Sequence, residues 1–172
     1  MELMDFALKD GRIVTVRSYR TADFEAMVSM FQQLSAEALR YGLPPYDRTR
    51  LERWVSGFDS GILLLALVRE TVVGAARIIG PWHARLKGVG EFVIYVHQDY
   101  HGKGLGTLLT KTILEEARRK GFHRVTLQVV ADNVPAIKAY ERAGFVQEGR
   151  LRDAFLDDDS KYHDQLVMGV IL

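Results

Sequence analysis

The chain has 172 residues, 48% of them hydrophobic and 26% charged, with 23 Lys plus Arg against 22 Asp plus Glu. That is the size and composition of one ordinary globular domain, which excludes collagen-like, disordered and disulfide-stapled classes. The net charge of +1 offers no whole-chain attraction to nucleic acid or to an anionic membrane, and neither is expected as a partner. With no cysteine, disulfides, thiolate–zinc sites, iron–sulfur clusters and a cysteine nucleophile drop out together. Met1-Glu2-Leu3-Met4-Asp5 lacks the basic-then-apolar run of a signal peptide, and the longest apolar stretch, Ile62 to Val68, is far short of the ~20 residues that span a bilayer. A cytoplasmic address is the expectation.

No repeat or linker-like segment divides the chain, so 1–172 reads as a single domain. Residues 6–9, Asp10-Gly11 and 12–17 predict a β-hairpin, because Asp-Gly suits a primed two-residue turn. Thr21-Ala22-Asp23 then starts a helix whose Phe24, Met27, Val28, Phe31 and Leu34 recur at three- and four-residue spacing. Gly42-Leu43-Pro44-Pro45 breaks that pattern, and 49–58 predicts a short second helix. Strands are predicted over 62–68 and 72–79, joined by a turn at 69–71, and, after a loop over 80–90, over 91–96. A helix follows from Leu105, with Leu108, Leu109, Ile113 and Ala117 on its buried face, stopped by Lys120-Gly121. A strand over 124–130, a helix over 134–143 and strands over 145–151 and 165–171 complete the chain. The order implies a mixed sheet with helices packed on it, an α/β or α+β layered domain.

The sharpest local feature is a strand ending at Val96, glycines at 102, 104 and 106, and a helix directly after. Alternate glycines let successive backbone N–H groups converge, and the helix start adds its own unpaired donors and the positive end of its dipole. The result suits a pyrophosphate, with Lys103 at its lip; a tight strand-to-helix turn needing glycine for packing is the plainer alternative. A P-loop is not present, since Gly102-Lys103 is followed by Gly104. Nor is the dinucleotide fingerprint, since Thr107 stands where its third glycine belongs.

A second segment, Asn133-Val134-Pro135-Ala136-Ile137-Lys138-Ala139-Tyr140-Glu141-Arg142-Ala143-Gly144-Phe145, joins the first in one pattern. Together they resemble the GNAT superfamily of acetyl-CoA-dependent N-acetyltransferases. Its signature is (Gln/Arg)-x-x-Gly-x-(Gly/Ala) after a strand, then Asn-x-x-Ala-x-x-x-Tyr-x-x-x-Gly-Phe. The resemblance runs from about Gly61 to the C-terminus and ends in Tyr162-His163-Asp164-Gln165-Leu166-Val167-Met168. His101 departs from it, standing where the family has Gln or Arg. On this resemblance 61–172 is the acetyl-CoA-binding core and 1–60 supplies a hairpin and acceptor-side helices. The implied sheet is mixed, mostly antiparallel and splayed, flanked by helices, with acetyl-CoA between the strands over 91–96 and 124–130.

The resemblance also implies roles. His101, Gly102, Lys103, Gly104, Leu105, Gly106 and Thr107 would bind the pyrophosphate. The main chain of Ile94, Tyr95 and Val96 would hold the pantetheine and polarise the acetyl carbonyl, and Asn133, Ala136 and Tyr140 would line the cofactor from the other side. Asn133 also reads as a helix N-cap before Pro135, and both roles are compatible. Tyr140 is the implied acid for the leaving thiolate: with a tyrosine near ~10 and a thiol near ~8.5, the transfer is uphill by roughly 2 kcal/mol. A core aromatic at helical spacing is the bland reading of Tyr140. Glu91 is the implied base, against a solvated strand-start carboxylate, with His83, Tyr95 and His97 as lesser candidates. Gln128 stands where some relatives carry a glutamate.

No metal is expected. His97 and His101 are four apart but flank the glycine loop without a third ligand, Asp157-Asp158-Asp159 reads as a turn, and no Gly-x-Ser-x-Gly elbow exists. The acceptor is expected to be a small-molecule primary amine. Leu8-Lys9-Asp10-Gly11, Arg17, Arg20, Asp23 and Leu34-Ser35 resemble family members that acetylate protein lysines, which keeps a protein lysine or N-terminus as an alternative. A non-catalytic acyl-CoA-binding module is a third reading. The segments 21–58, 80–90 with Trp82 and His83, and 151–163 should set acceptor identity. A basic pocket from Arg85 and Lys87 would suit a carboxylate, and an acid-lined groove a polyamine. Homodimerisation is an expectation of the resemblance alone.

Overall fold

Described over residues 4–56 and 61–172 in a computed structural model, the chain first forms strands Met4–Ala7 (β1) and Ile13–Ser18 (β2). Helices Phe24–Gln32 (α1), Ala36–Leu39 (α2) and Arg48–Val55 (α3) follow, then strands Ile62–Val68 (β3), Thr71–Ile79 (β4) and Val89–Val96 (β5). Helix Leu105–Arg119 (α4), strand Arg124–Val130 (β6), helix Val134–Arg142 (α5) and strands Val146–Leu156 (β7) and Tyr162–Ile171 (β8) complete it. The described residues make one eight-stranded sheet in the order β1-β2-β3-β4-β5-β6-β8-β7. Neighbours are antiparallel except β5 and β6, which run parallel. The expected mixed, mostly antiparallel sheet is what forms.

Period-two alternation divides the sheet into two buried faces. Leu64, Ala66, Ile78 and Phe92 pack under α4 with Leu105, Leu109, Ile113 and Ala117. Leu63, Leu65 and Ala75 pack on the opposite face under α1 and α3 with Met27, Phe31 and Leu51. A strand buried on both faces must be apolar at every position, which is why Ile-Leu-Leu-Leu-Ala-Leu-Val is legible as β3.

The one parallel junction is short. β5 and β6 pair at Val89↔Arg124, Gly90↔Val125 and Glu91↔Thr126. Beyond these, β5 stays on β4 as far as Gly74↔Val96 and β6 stays on β8 as far as Val130↔Gln165. The sheet therefore opens into a V whose vertex is Glu91–Thr126. Gly90 is required there: a Cβ would lie 2.4 Å from Ile78 Cγ2 and 2.9 Å from Phe122 Cε1.

Several expectations are corrected. The first hairpin has a three-residue loop, not a two-residue one: Leu8 N–H donates to Arg12 O (2.8 Å), Gly11 N–H donates to Leu8 O (3.0 Å), and Gly11 takes φ +83. A single left-handed glycine closing a tight turn gives that loop. The second helix is α3, offset from the predicted 49–58, and Phe58 lies outside the described residues. α2 was not anticipated; Ser35 caps it, its side chain accepting from Ala38 N–H (3.2 Å). β5 begins two residues before Glu91, and β7 and β8 are both longer than predicted because β7 is an exposed edge strand with little apolar alternation. Asp157 to Ser160 does form the turn between them, with Asp157 N–H bonded to Lys161 O (3.0 Å).

Two polar clusters hold chain segments far apart in sequence. Arg17 forms a fork on Asp23 (2.6 and 2.7 Å), and Asp23 also accepts from Arg20 N–H (2.7 Å), which ties β2 to the start of α1. Both side chains are nearly buried. His163 in β8 is buried between Asp132 (Nδ1, 2.6 Å) and Asp157 (Nε2, 2.7 Å), so the hairpin tip is bound to the link between β6 and α5. The Asp157 carboxylate, then that of Asp132, raises the His163 pKa above its usual value.

Asp23→Asn should cost on the order of 2 kcal/mol at pH 7, because it leaves Arg17 without its charged partner. The Arg17 hydrogen bonds lower the Asp23 pKa; its contribution is therefore present above the usual carboxylate pKa and is lost as pH falls through the depressed value. Urea unfolding should show the variant's deficit shrinking toward low pH. For His163 the sign is reversed: the raised pKa gives stability that is complete below about pH 6.5 and is lost as pH rises through the folded-state value. The gap in melting temperature between the natural chain and His163→Gln should be widest near pH 5–6 and narrow on the alkaline side.

Candidate functional site

The mouth of the V is built from the loop that leaves β5. Tyr100 N–H donates to His97 O (2.9 Å) in a 3-10 turn. The chain then reverses through Gly102 (φ +70) and Gly104 (φ +93) into α4. Only glycine takes these angles without strain. Leu108 N–H donates to Gly104 O (3.0 Å), so the N–H groups of Leu105, Gly106 and Thr107 have no carbonyl one helical turn behind them. They stand at the positive end of a 15-residue helix.

Gly106 differs from the other two glycines. It sits inside the first turn of α4 with no left-handed φ, and a Cβ there would meet no atom within 4 Å. Among the described residues, neither backbone angle nor packing calls for glycine at this position. The open space above it is what a diphosphate needs to approach the helix end.

The predicted pyrophosphate residues are brought together, and hydrogen bonds brace them. Lys9 N–H donates to Lys103 O (3.1 Å), and Arg12 donates to Asp99 O (2.7 Å) with its guanidinium 3.9 Å from the Tyr100 ring centre. The first hairpin is thus a buttress for the loop. His101 is exposed, and its Nε2–H donates to Val96 O (2.8 Å), so the residue that departs from the family pattern ties the loop to the end of β5. Gln98 escaped the sequence reading. Its amide donates to Gln33 O (3.0 Å) and accepts from Ser35 N–H (3.1 Å), joining the loop to the α1–α2 link. A lone glutamine in a loop carries no pattern that would have revealed this.

On the α4–α5 face, Asn133 caps α5 by accepting from Ala136 N–H (3.4 Å). Tyr140 lies edge-on to Phe92 (5.9 Å) and Phe145 (6.0 Å). Burial there pushes its hydroxyl up to about 12, so Tyr140 keeps its proton at neutral pH.

The opposite face is aromatic. Tyr95 packs against Tyr46 (5.0 Å), Phe31 (5.1 Å) and Trp54 (6.1 Å). Its hydroxyl bonds to that of Tyr46, and burial with that neighbour raises its pKa. Tyr95 therefore anchors β5 by its side chain. Glu91, exposed in β5 at the vertex, shares this face with Val93 and Tyr95 by alternation. Thr126, its partner, and Gln128 continue the same face on β6.

The loop 80–88 stands in solvent: Trp82 is 86% exposed and rests against His83 (5.6 Å). His83 Nδ1 accepts from Arg85 N–H (3.1 Å), and Arg85 and Lys87 are both exposed. Arg50, Arg53 and Trp54 of α3 and Arg77 of β4 line an open basic depression of about 380 Å³ on the α1–α3 face.

Residues 28–145 match the model of the Acetyltransferase (GNAT) family. A mycothiol acetyltransferase of Saccharopolyspora erythraea is 35% identical over 150 residues, which span 85% of this chain and 47% of that protein. The chain spans about half, or less, of the length of the mycothiol acetyltransferases it matches. An L-methionine sulfoximine/L-methionine sulfone acetyltransferase of Pseudomonas aeruginosa is 25% identical over 146 residues, 80% of this chain and 83% of that one. Among solved structures, the GNAT domain of S. lividans PAT superposes with a TM-score of 0.80 at 23% identity, covering 99% of this chain and 97% of its own. A spermidine N-acetyltransferase from Vibrio cholerae, in complex with CoA and spermine, gives 0.76 at 21%, covering 92% and 95%. At those identities the structural likeness speaks for the fold. From its family match and its opened sheet, the chain belongs to the acetyltransferase (GNAT) family.

Proposed function

We propose that the chain transfers an acetyl group from acetyl-CoA to the primary amine of a small molecule. Gly106 carries the proposal. Glycine is a poorer helix former than alanine, and nothing among the described residues asks for one at this position. A diphosphate seated on the N–H groups of Gly102 to Thr107 does. The V between β5 and β6 gives the rest of that ligand a path to Tyr140 and Glu91.

Acetyl-CoA supplies the acetyl group as an activated thioester. An aliphatic amine of pKa about 10.4 must first lose a proton, at roughly 4.6 kcal/mol at pH 7. Glu91, exposed at the vertex, is the proposed acceptor of that proton, directly or through one water. The nitrogen bonds to the carbonyl carbon and the carbon–sulfur bond breaks. Tyr140 gives the sulfur a proton and is restored by the second nitrogen proton, so the net products are amide, thiol and one proton. Burial raises the Tyr140 pKa, so the hydroxyl stays protonated until charge builds on sulfur, as a concerted acid requires.

The names of the mycothiol and methionine sulfoximine relatives support a small-molecule acceptor. Arg17 and Asp23, which pointed toward a protein acceptor, are accounted for by the ion pair between β2 and α1. Ser35 is likewise accounted for by its cap and its bond to Gln98.

Acetyl-CoA at 100 times its dissociation constant should add about 2.7 kcal/mol, or roughly 5–11 °C to the melting temperature. Gly106→Ala should melt at the same temperature or slightly higher without ligand and lose most of that rise. An equal rise in both proteins would remove the diphosphate from Gly106, and no rise in the natural chain would remove the cofactor altogether. Tyr140→Phe should keep the rise and lower kcat about 100-fold. An unchanged kcat would take the acid role from Tyr140, and no turnover in either protein would favour a binding module.

A further inference from the structure

The turn of the first hairpin is seated on the start of α4. Leu8 is buried in the same cluster as Leu105, the first residue of that helix. The next residue, Lys9, is fixed by its backbone, its N–H donating to Lys103 O (3.1 Å). Its exposed side chain then folds over the glycine loop. Cγ and Cε both lie 3.8 Å from the position a Cβ would take on Gly104, the N-cap of α4. A lysine stem can pack along a surface while its ammonium stays in water. Here the surface is the backbone whose N–H groups face the diphosphate.

The charges at this helix start run against its dipole. The positive end of a helix is stabilised by carboxylates and the negative end by cations. α1 and α2 carry Glu25 and Glu37 in their first turns, and Asp47 caps α3. The first turn of α4 has no acid, and Lys9 and Lys103 stand beside it instead. Asp10 is close enough to feel Lys103, but Arg12 holds it at 2.7 Å. Asp99 lies 3.7 Å from His97. Among the described residues, neither lysine ammonium has an ion-pair or hydrogen-bond partner. Cations gathered at the positive end of a dipole repel it and one another, and a bound anion reverses the sign of each of those interactions.

Resting on the acetyl-CoA reading above, we propose that the Lys9 ammonium binds a phosphate group of the coenzyme, with Lys103 beside it. The N-terminal hairpin is then part of the cofactor site as well as its buttress. The N–H groups of Gly102 to Thr107 offer dipoles; Lys9 enters from the Gly104 side and adds a full charge. The coenzyme carries phosphate in two places, the diphosphate and the ribose 3′-phosphate, and a compact ammonium on a flexible stem can meet either.

Titration calorimetry with coenzyme A and with 3′-dephospho-coenzyme A tests this in the natural chain, Lys9→Met and Lys9→Arg. Methionine keeps an unbranched stem over Gly104 and removes the charge; arginine restores the charge. Lys9→Met should melt with the natural chain when no ligand is present, because the side chain is exposed. It should bind coenzyme A about fivefold or more weakly, with an affinity that falls less steeply as salt is added. Lys9→Arg should recover most of that loss. A deficit with both ligands puts the ammonium on the diphosphate, and a deficit with coenzyme A alone puts it on the 3′-phosphate. An affinity in Lys9→Met within about twofold of the natural chain for both ligands, or a loss that arginine does not restore, overturns the proposal and leaves the acetyltransferase reading standing. No binding of coenzyme A by the natural chain removes both.

Discussion

β5 and β6 run side by side for three residue pairs, from Val89↔Arg124 to Glu91↔Thr126, and are then drawn apart because each keeps a different antiparallel partner. β4 holds β5 and β8 holds β6 for the rest of their length. A sheet interrupted in this way leaves main-chain donors and acceptors of two strands facing a gap, and such groups require partners. Ile78 and Phe122 fill the space beside the vertex so closely that no side chain fits at residue 90. The site is in this sense a feature of sheet geometry before it is a set of side chains.

The elements around the gap divide the work by face. α4 and α5 occupy one face and bring the glycine loop and Tyr140 to it; α1 and α3 occupy the other and bring the aromatic group around Tyr95 and the arginines. The loop itself is held from three directions: by Lys9 and Arg12 of the first hairpin, by the α1–α2 link that its Gln98 bonds, and by the end of β5 that its His101 bonds. A cradle fixed by its own hydrogen bonds gives up little further freedom when an anion arrives, which is the physical meaning of preorganisation. Much of the polar chemistry of residues 4–56 is structural in the same sense, as the bonds of Lys9, Arg12, Arg17 and Ser35 show.

What could be read from the sequence followed burial. β3 was legible to the residue because burial on both faces leaves an all-apolar run, β6 because buried Val125, Leu127 and Val129 alternate with Arg124, Thr126 and Gln128, and the start of α4 because of its four-residue apolar repeat. The glycine loop and the Asn133–Tyr140 segment were legible because rare backbone angles and a helix cap restrict residue type. β7 was underestimated because an exposed edge strand is under no such restriction, and α2 because four residues give no periodicity. Arg85 and Lys87, the basic pair offered for an acceptor carboxylate, are exposed, whereas Arg50 and Arg53 of α3 meet Arg77 of β4 only because the fold packs that helix on the strand. Gln98 gave no signal.

Amide hydrogen exchange with and without coenzyme A tests the central claim most directly, because it reads the backbone groups on which the account depends. The account expects added protection at Gly102 to Thr107 and along β5 from Ile94 to Val96, with little change in β1, β2 or the exposed loop around Trp82. Protection confined to other segments, or none at saturating coenzyme A, would contradict it.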